Sequence, residues 1–222
     1  MCSSDLSGEA YYRIAKVFRG ENWQEQFRSP LREHGSEVPE GSWLIAIDGE
    51  EVRAGDNPWR PLEGKAGRTV LLTFNDRPSK EGARTVPVRP VTSETNLRFL
   101  DWVRRNREWV DSVSNGRSGY VWIPNTAVEG NRELFRWFYP QANKDAMIFD
   151  DRYNGGGFIP YNMIELIDRP VLNFWARRNA EPTSAPDVFH NGPKVCLINH
   201  YSSSGGDAFP YYFRKRGLGT LI

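Results

Sequence analysis

A run of serine and glycine is the segment of this sequence whose residue types best suit catalysis. It spans residues 199–207 and follows the apolar run Val195–Ile198. A serine between a strand and a helix can expose its hydroxyl above a sheet, and the next N–H can donate to negative charge developing on a substrate oxygen. Ser204 and Gly205 fit these two roles. Ser, Gly and Asp are also ordinary helix N-capping residues, so the pattern alone leaves both interpretations open.

A second glycine-rich segment, Asp150–Gly157, lies at another predicted junction between an apolar strand and a helix. Gly155, Gly156 and Gly157 permit positive φ angles and let backbone N–H groups approach a bound atom closely. The following helix would add partial positive charge. The segment could therefore bind an oxyanion, form a plain turn, or bind phosphate. It lacks the G-x-G-x-x-G order and the Gly-Lys-Ser/Thr ending, which disfavours a nucleotide loop.

The second half of the chain alternates strands and helices. Strands are predicted at 119–123, 146–150 and 194–198, and helices at 131–139, 159–167 and 207–216. Continuous apolar runs between helices indicate a parallel sheet that is buried on both faces. Ligands of such sheets bind at the carboxyl ends of the strands, where both glycine-rich segments would lie. We therefore expect the two turns to face one substrate carbonyl.

The first half is predicted to form a small β-rich domain. Strand-like stretches cover residues 12–18, 42–47, 69–74 and 84–88, with a short helical segment at 57–62. A long helix follows, with a start signal at 92–94 and a stop signal at Asn115-Gly116. The predicted organisation is a β-rich domain at 11–90, a linker helix at 91–115 and an α/β core at 116–222. The fold class is thus α+β followed by α/β.

The composition excludes several function classes. The 29 Lys and Arg residues nearly balance the 28 Asp and Glu residues, so no strong field would attract nucleic acid or an acidic membrane. No apolar run approaches the roughly 20 residues that cross a bilayer. Cys2 and Cys196 are far apart, without metal-ligand spacing, so neither a metal nor a cofactor is expected. Cys196 is predicted to be a core residue.

Short motifs spread over nearly the whole chain resemble tricorn-type serine peptidases. In the first half they are Ser29-Pro30-Leu31, residues 44–49 and residues 64–67, and in the second half residues 97–103, 119–124, 135–141, 151–157, 204–207 and 217–219. The resemblance implies that residues 11–90 form a PDZ-like domain. It also implies that residues 116–222 form part of a crotonase-like (ClpP/crotonase) α/β peptidase core.

The resemblance also implies roles for individual residues. Ser204 matches the nucleophile, Gly205 one backbone oxyanion donor and Gly157 the other, with Gly155 and Gly156 completing the binding loop. The residue after the nucleophile can be acidic in this family, and Gly205 retains the backbone donor. The implied substrate is a peptide or unfolded polypeptide, and a homo-oligomer is compatible with the family. The alternative is a non-catalytic peptide-binding scaffold with a degenerate core.

The general base of this family lies before the PDZ-like domain, with a glutamate after the nucleophile helix, so we expect both outside this chain. His200 precedes Ser204 by four residues but is more typical of a satisfied structural histidine. His34 and His190 are predicted at the surface. Lys215 would lie about 16 Å from Ser204 along a helix, too far for proton transfer. We expect a cytoplasmic protein, or a periplasmic one if a native N-terminus precedes Met1.

Overall fold

A computed structural model of the protein describes residues 10–222, and Cys2 lies outside that range. The chain divides into two compact units, one ending at Trp102 and the other beginning at Val103. Within the described range, no helix is long and apolar enough to span a bilayer.

The first unit contains an antiparallel sheet. Its strands are β1 (Tyr12–Arg13), β2 (Trp43–Ile47), β3 (Glu50–Glu51), β4 (Val70–Asn75) and β5 (Arg84–Val88). They are ordered β1-β2-β4-β5, and β3 pairs with β2. The central strands bury Leu44, Ile47 and Phe74 in one apolar core. Leu44 and Ile47 are three residues apart and still share this core because the pairing register of β2 shifts between Leu44 and Ala46. The predicted β-rich domain is confirmed.

The predicted strand over residues 12–18 is only partly present, because Lys16–Phe18 is not a strand. Val17 and Phe18 are buried there, as their apolar character requires. Side chains replace the ladder partners of the backbone: the Val17 N–H donates to Glu40 Oε1 at 2.9 Å, and the Phe18 carbonyl accepts from the Ser29 hydroxyl. The predicted helical segment at 57–62 is one 3₁₀ turn at Arg60–Leu62.

The long helix α1 covers Thr95–Val113. The Ser93 hydroxyl accepts a hydrogen bond from the Thr95 N–H at 3.2 Å, which caps its start. Asn115 and Gly116 follow the helix with φ angles of 51° and 76°, so the predicted stop signal is confirmed. The division between the two units falls inside this helix.

The second unit contains the three predicted strands and three predicted helices in alternation, together with three strands that were not predicted, at 173–175, 183–185 and 219–221. Its elements are β6 (Ser118–Trp122), α2 (Val128–Phe138), β7 (Ala146–Asp150), α3 (Pro160–Ile167), β8 (Asn173–Trp175), β9 (Thr183–Ala185), β10 (Lys194–Leu197), α4 (Gly205–Lys215) and β11 (Gly219–Leu221). Strands β11, β10, β7 and β6 form one parallel sheet in that order. The predicted parallel sheet is confirmed, and β8 and β9 add an antiparallel hairpin that the sequence pattern did not indicate.

Aromatic side chains fill the core of the second unit. Phe138, Phe149 and Phe213 are fully buried, and so is Cys196, as predicted. The prediction of a surface position for His190 is wrong. Its ring is buried, with Nδ1 2.9 Å from the carbonyl oxygen of Ala142 and Nε2 without a hydrogen-bond partner in residues 10–222. A polar loop sequence does not reveal that one ring in the loop turns inward.

Candidate active site

The two glycine-rich turns begin side by side because β7 and β10 are parallel neighbours. Leu197 pairs with Asp150 at the ends of these strands, and the Asp151 N–H donates to the Leu197 carbonyl at 2.9 Å. Further along, the Ser203 N–H donates to the Asn154 carbonyl at 3.1 Å. The two turns therefore run together from the sheet edge, which is the arrangement that parallel-sheet geometry predicts.

Ser204 lies at the tip of the second turn, immediately before α4. Its φ and ψ angles are 56° and −116°, a conformation that residues with a Cβ rarely adopt. Its carbonyl accepts hydrogen bonds from the N–H groups of Asp207 and Ala208, which fix the turn. The side chain is exposed, and its hydroxyl makes no hydrogen bond with any residue in the described range. A strained, exposed serine is the geometry of a nucleophile elbow.

The two candidate oxyanion donors, Gly205 and Gly157, are in direct contact. A Cβ built on Gly205 would lie 2.9 Å from the Gly157 nitrogen and 2.2 Å from its oxygen. Neither amide N–H donates a hydrogen bond to another group of residues 10–222. The Gly205 amide also stands in the first turn of α4, where the helix carries partial positive charge. The fold thus brings together a serine hydroxyl and two available N–H donors.

Gly155, Gly156 and Gly157 are not equivalent. Gly156 has a φ of 82°, and a Cβ there would lie 2.7 Å from the Ser203 oxygen and 2.9 Å from the Ser204 Cβ. Gly157 has a φ of 142°, and its Cβ would lie 2.3 Å from the Thr126 oxygen. A Cβ on Gly155 would approach the Pro124 oxygen no closer than 3.8 Å. Glycine is therefore required at the last two positions but not at the first.

Thr126, in the loop after β6, packs against the glycine loop at residues 155–157. Its N–H donates to the Gly156 carbonyl at 2.8 Å, and its own carbonyl accepts from the Ile159 N–H at 3.0 Å. The side chain is fully buried, and Oγ1 would lie 2.1 Å from a Cβ on Gly205. Sequence reasoning missed this residue, because a single threonine after a strand carries no distinctive signal.

Asn154 connects the two turns and was also missed as a functional residue. Its side-chain Nδ2 donates to Asp151 Oδ1 at 2.7 Å, and its Oδ1 accepts from the Gly156 N–H at 2.8 Å. Its main-chain carbonyl accepts a hydrogen bond from the Ser203 N–H. The residue is fully buried, so these bonds are shielded from water. Its place between an acidic pair and three glycines was the available signal.

Two buried carboxyl groups at the end of β7 have different environments. Asp150 accepts from the Tyr120 hydroxyl and from the Arg152 guanidinium, so its charge is compensated. Asp151 has one oxygen without a partner in the described range. Burial raises the pKa of the Asp151 carboxyl to about 8, and the charges of Asp150 and Asp207 also raise it. Burial therefore favours the protonated form of Asp151.

Among the described residues, no side chain hydrogen-bonds the Ser204 hydroxyl as a general base would. His200 is exposed, and its ring lies 3.9 Å from that of Tyr201. Lys215 lies near the far end of α4, with its nitrogen 5.7 Å from the ring centre of Tyr211. Across residues 10–222, no group of three or more His, Cys, Asp and Glu side chains is placed to hold a metal ion.

Comparison with known proteins identifies the family. The family model of the tricorn protease PDZ domain matches residues 2–93, and that of peptidase family S41 matches residues 117–222. The chain belongs to the tricorn-like S41 peptidases. A crystal structure of the tricorn protease superposes on it with a TM-score of 0.86 at 32% identity, covering 100% of this chain and 21% of that one.

Curated proteins similar to this chain are also tricorn proteases or their homologs. The tricorn protease of Thermoplasma acidophilum is 32% identical over 221 residues, which are 100% of this chain and 20% of the relative. A tricorn protease homolog of Saccharolobus solfataricus is 32% identical over 213 residues, 95% of this chain and 19% of the relative. The chain thus spans about a fifth of the length of these relatives.

Proposed function

We propose that this chain carries the nucleophile and the oxyanion donors of a serine peptidase that hydrolyses peptide bonds through an acyl-enzyme on Ser204. The observation that carries the proposal is the contact between the turn of Ser204 and the glycine loop. This contact places an exposed hydroxyl beside the unused amides of Gly205 and Gly157. Family membership supports the reaction class.

In the proposed reaction, Ser204 Oγ attacks the carbonyl carbon of the scissile bond and its proton passes to a base outside this chain. The carbonyl oxygen becomes negatively charged and accepts hydrogen bonds from the Gly205 and Gly157 amides. Collapse of the tetrahedral intermediate expels the amine, which takes up the proton from the base. Water then hydrolyses the ester on Ser204 and restores the hydroxyl.

The wider architecture belongs to the same proposal. The four-stranded parallel sheet with flanking helices supports a partial crotonase-like core, and the match of the first unit supports a PDZ-like domain. Substrates would be peptides or unfolded polypeptides, and the complete protein would assemble into a homo-oligomer in the cytoplasm. The name of the relatives, tricorn protease, favours the peptide substrates.

Peptidase activity of the complete protein in which this chain lies tests the proposal. Ser204→Ala should reduce kcat by several orders of magnitude, because loss of the nucleophile removes the covalent route (about 10⁶-fold in a well-studied serine protease). Ser203→Ala is the matched control, since its exposed side chain makes no hydrogen bond in the described range. Full activity of the Ser204 variant would refute the assignment.

One observation favours a second candidate function, peptide binding by the first unit. An apolar groove of about 600 Å³ lies beside the sheet, lined by residues that include Val17, Phe18, Leu31, Leu62, Val88 and Leu97. PDZ-like domains bind peptides by adding a strand to a sheet edge. If this were the only function, the complete protein would bind peptides but would hydrolyse none of them, with or without Ser204.

A further inference from the structure

Two exposed tyrosines, Tyr153 and Tyr201, stack on each other near the start of the two glycine-rich turns. The rings of Tyr153 and Tyr201 are stacked, with centroids 5.3 Å apart and an interplanar angle of 17°. Their exposed fractions are 42% and 61%, so a considerable part of both rings is open to solvent. One tyrosine precedes the glycine loop and the other precedes the nucleophile. The stack therefore belongs to the same two segments that build the site.

The backbone holds this stack in place. The side-chain oxygen of Asn199 accepts hydrogen bonds from the Tyr153 N–H at 3.2 Å and from the Tyr201 N–H at 3.1 Å. Tyr153 has a φ of 65°, a left-handed conformation that a bulky residue rarely adopts. Such strain persists only where the surroundings enforce it, and it concentrates at functional sites. An exposed pair fixed in this way is a rigid surface rather than a mobile one.

The position of the stack relates it to the substrate. The two turns contact each other at successive points along their length: the Tyr153 ring with the Tyr201 ring, Asn154 with Ser203, and Gly156 with Ser204. Three residue steps bring Tyr201 to Ser204, so their Cα atoms are at most about 11 Å apart. A substrate held at Ser204 in an extended conformation therefore has the stack within about three residues of its scissile bond.

We propose that the Tyr153–Tyr201 stack is a specificity-determining surface that selects an aromatic side chain in the substrate polypeptide within three residues of the bond cleaved at Ser204. The His200 ring lies 3.9 Å from the Tyr201 ring and flanks the same stack, so a third flat ring would cover the parts of the two tyrosine rings that are exposed to solvent. This proposal rests on the function proposed above, because it takes the bound substrate of Ser204 as the occupant of the surface.

Binding to the Ser204→Ala form of the complete protein tests the surface independently of hydrolysis. The probes are peptides identical except for one position, occupied by Phe, Leu or Arg and moved stepwise along the peptide. We expect Phe to bind more tightly than Leu at one position, by about 3- to 10-fold for one stacking contact. Adding Tyr201→Ala or Tyr153→Ala should abolish this difference, and adding Tyr201→Phe should preserve it.

Tyr211→Ala is the matched control, because this exposed tyrosine lies on α4 and also has a ring neighbour, Tyr212. Equal affinities for Phe and Leu peptides at every position would overturn the proposal, and so would a preference that survives Tyr201→Ala. A preference for Arg over Phe would overturn it too. Failure of the proposed function is a separate result: wild-type protein would then hydrolyse no peptide, whatever the binding preference.

Discussion

Replacing Gly156 by alanine should damage both the stability of the second unit and the nucleophile turn. The φ of 82° is costly for a residue with a Cβ, by roughly 1–2 kcal/mol. The new methyl group would also lie 2.7 Å from the Ser203 oxygen, and overpacking of this kind costs about 1–3 kcal/mol. Together these effects lower the free energy of unfolding by roughly 2–5 kcal/mol.

The neighbouring glycine provides a matched control in the same loop. Gly155 does not have a left-handed φ, and its Cβ would make only an ordinary contact, 3.8 Å from the Pro124 oxygen. Gly155→Ala should therefore be neutral or stabilise the fold by up to about 1 kcal/mol, because alanine restricts the unfolded chain. The two variants make the same chemical change one residue apart. The difference between their free energies of unfolding therefore measures the combined cost of the left-handed φ at Gly156 and its close contact with the second turn.

Urea denaturation followed by tryptophan fluorescence measures the two free energies of unfolding. Labelling of Ser204 by a phosphonate provides the functional measurement, because the Gly156 methyl would also press on the Ser204 Cβ, at 2.9 Å. Gly156→Ala should unfold at lower urea and label more slowly than Gly155→Ala. Equal midpoints and equal labelling rates would refute the contact between the two turns.

Three further predictions concern buried groups. The folded-state pKa of Asp151 is about 8, above its unfolded value, so wild-type stability should fall between about pH 4 and pH 8 by at most roughly 1.4 kcal/mol per pH unit. Asp151→Asn should lack this slope in urea denaturation at pH 4.5 and 7.5, and identical slopes would contradict the assignment. Tyr120→Phe removes a donor to the buried Asp150 carboxylate and should lower the free energy of unfolding by about 1–3 kcal/mol, whereas the exposed Tyr161→Phe control should change it little. Burial raises the pKa of the Cys196 thiol, so iodoacetamide should modify Cys196 only after unfolding, and rapid modification of Cys196 in the native chain, distinguished from Cys2 by peptide mass spectrometry, would be the contrary result.

The sequence predicted the parts of the fold that depend on periodic patterns. Apolar runs such as Ala146–Asp150 and Lys194–Leu197, each followed by glycines and a helix, were sufficient to predict a parallel sheet with two turns at one edge. Residue type and position indicated the two turns, and the family resemblance implied the roles of Ser204, Gly205 and Gly157. These features are local, so a window of ten residues contains most of the information.

The remaining features depend on contacts between distant residues. Lys16–Phe18 has a strand-like composition, but its backbone bonds with side chains far along the chain. His190 lies in a polar loop, yet its ring packs inward against the Ala142 carbonyl. The hydrogen bonds of Asn154 between the two turns and the contacts of Thr126 with the glycine loop form only when these segments come together in the fold. No pattern in one segment encodes such contacts.

The central claim is that Ser204 is the nucleophile, and the most direct measurement is to locate the adduct of a serine-directed fluorophosphonate by mass spectrometry of the complete protein. The account predicts one adduct, on Ser204, that disappears in Ser204→Ala and remains in Ser203→Ala. An adduct on a different serine, or labelling of Ser204→Ala at the wild-type rate, would contradict it.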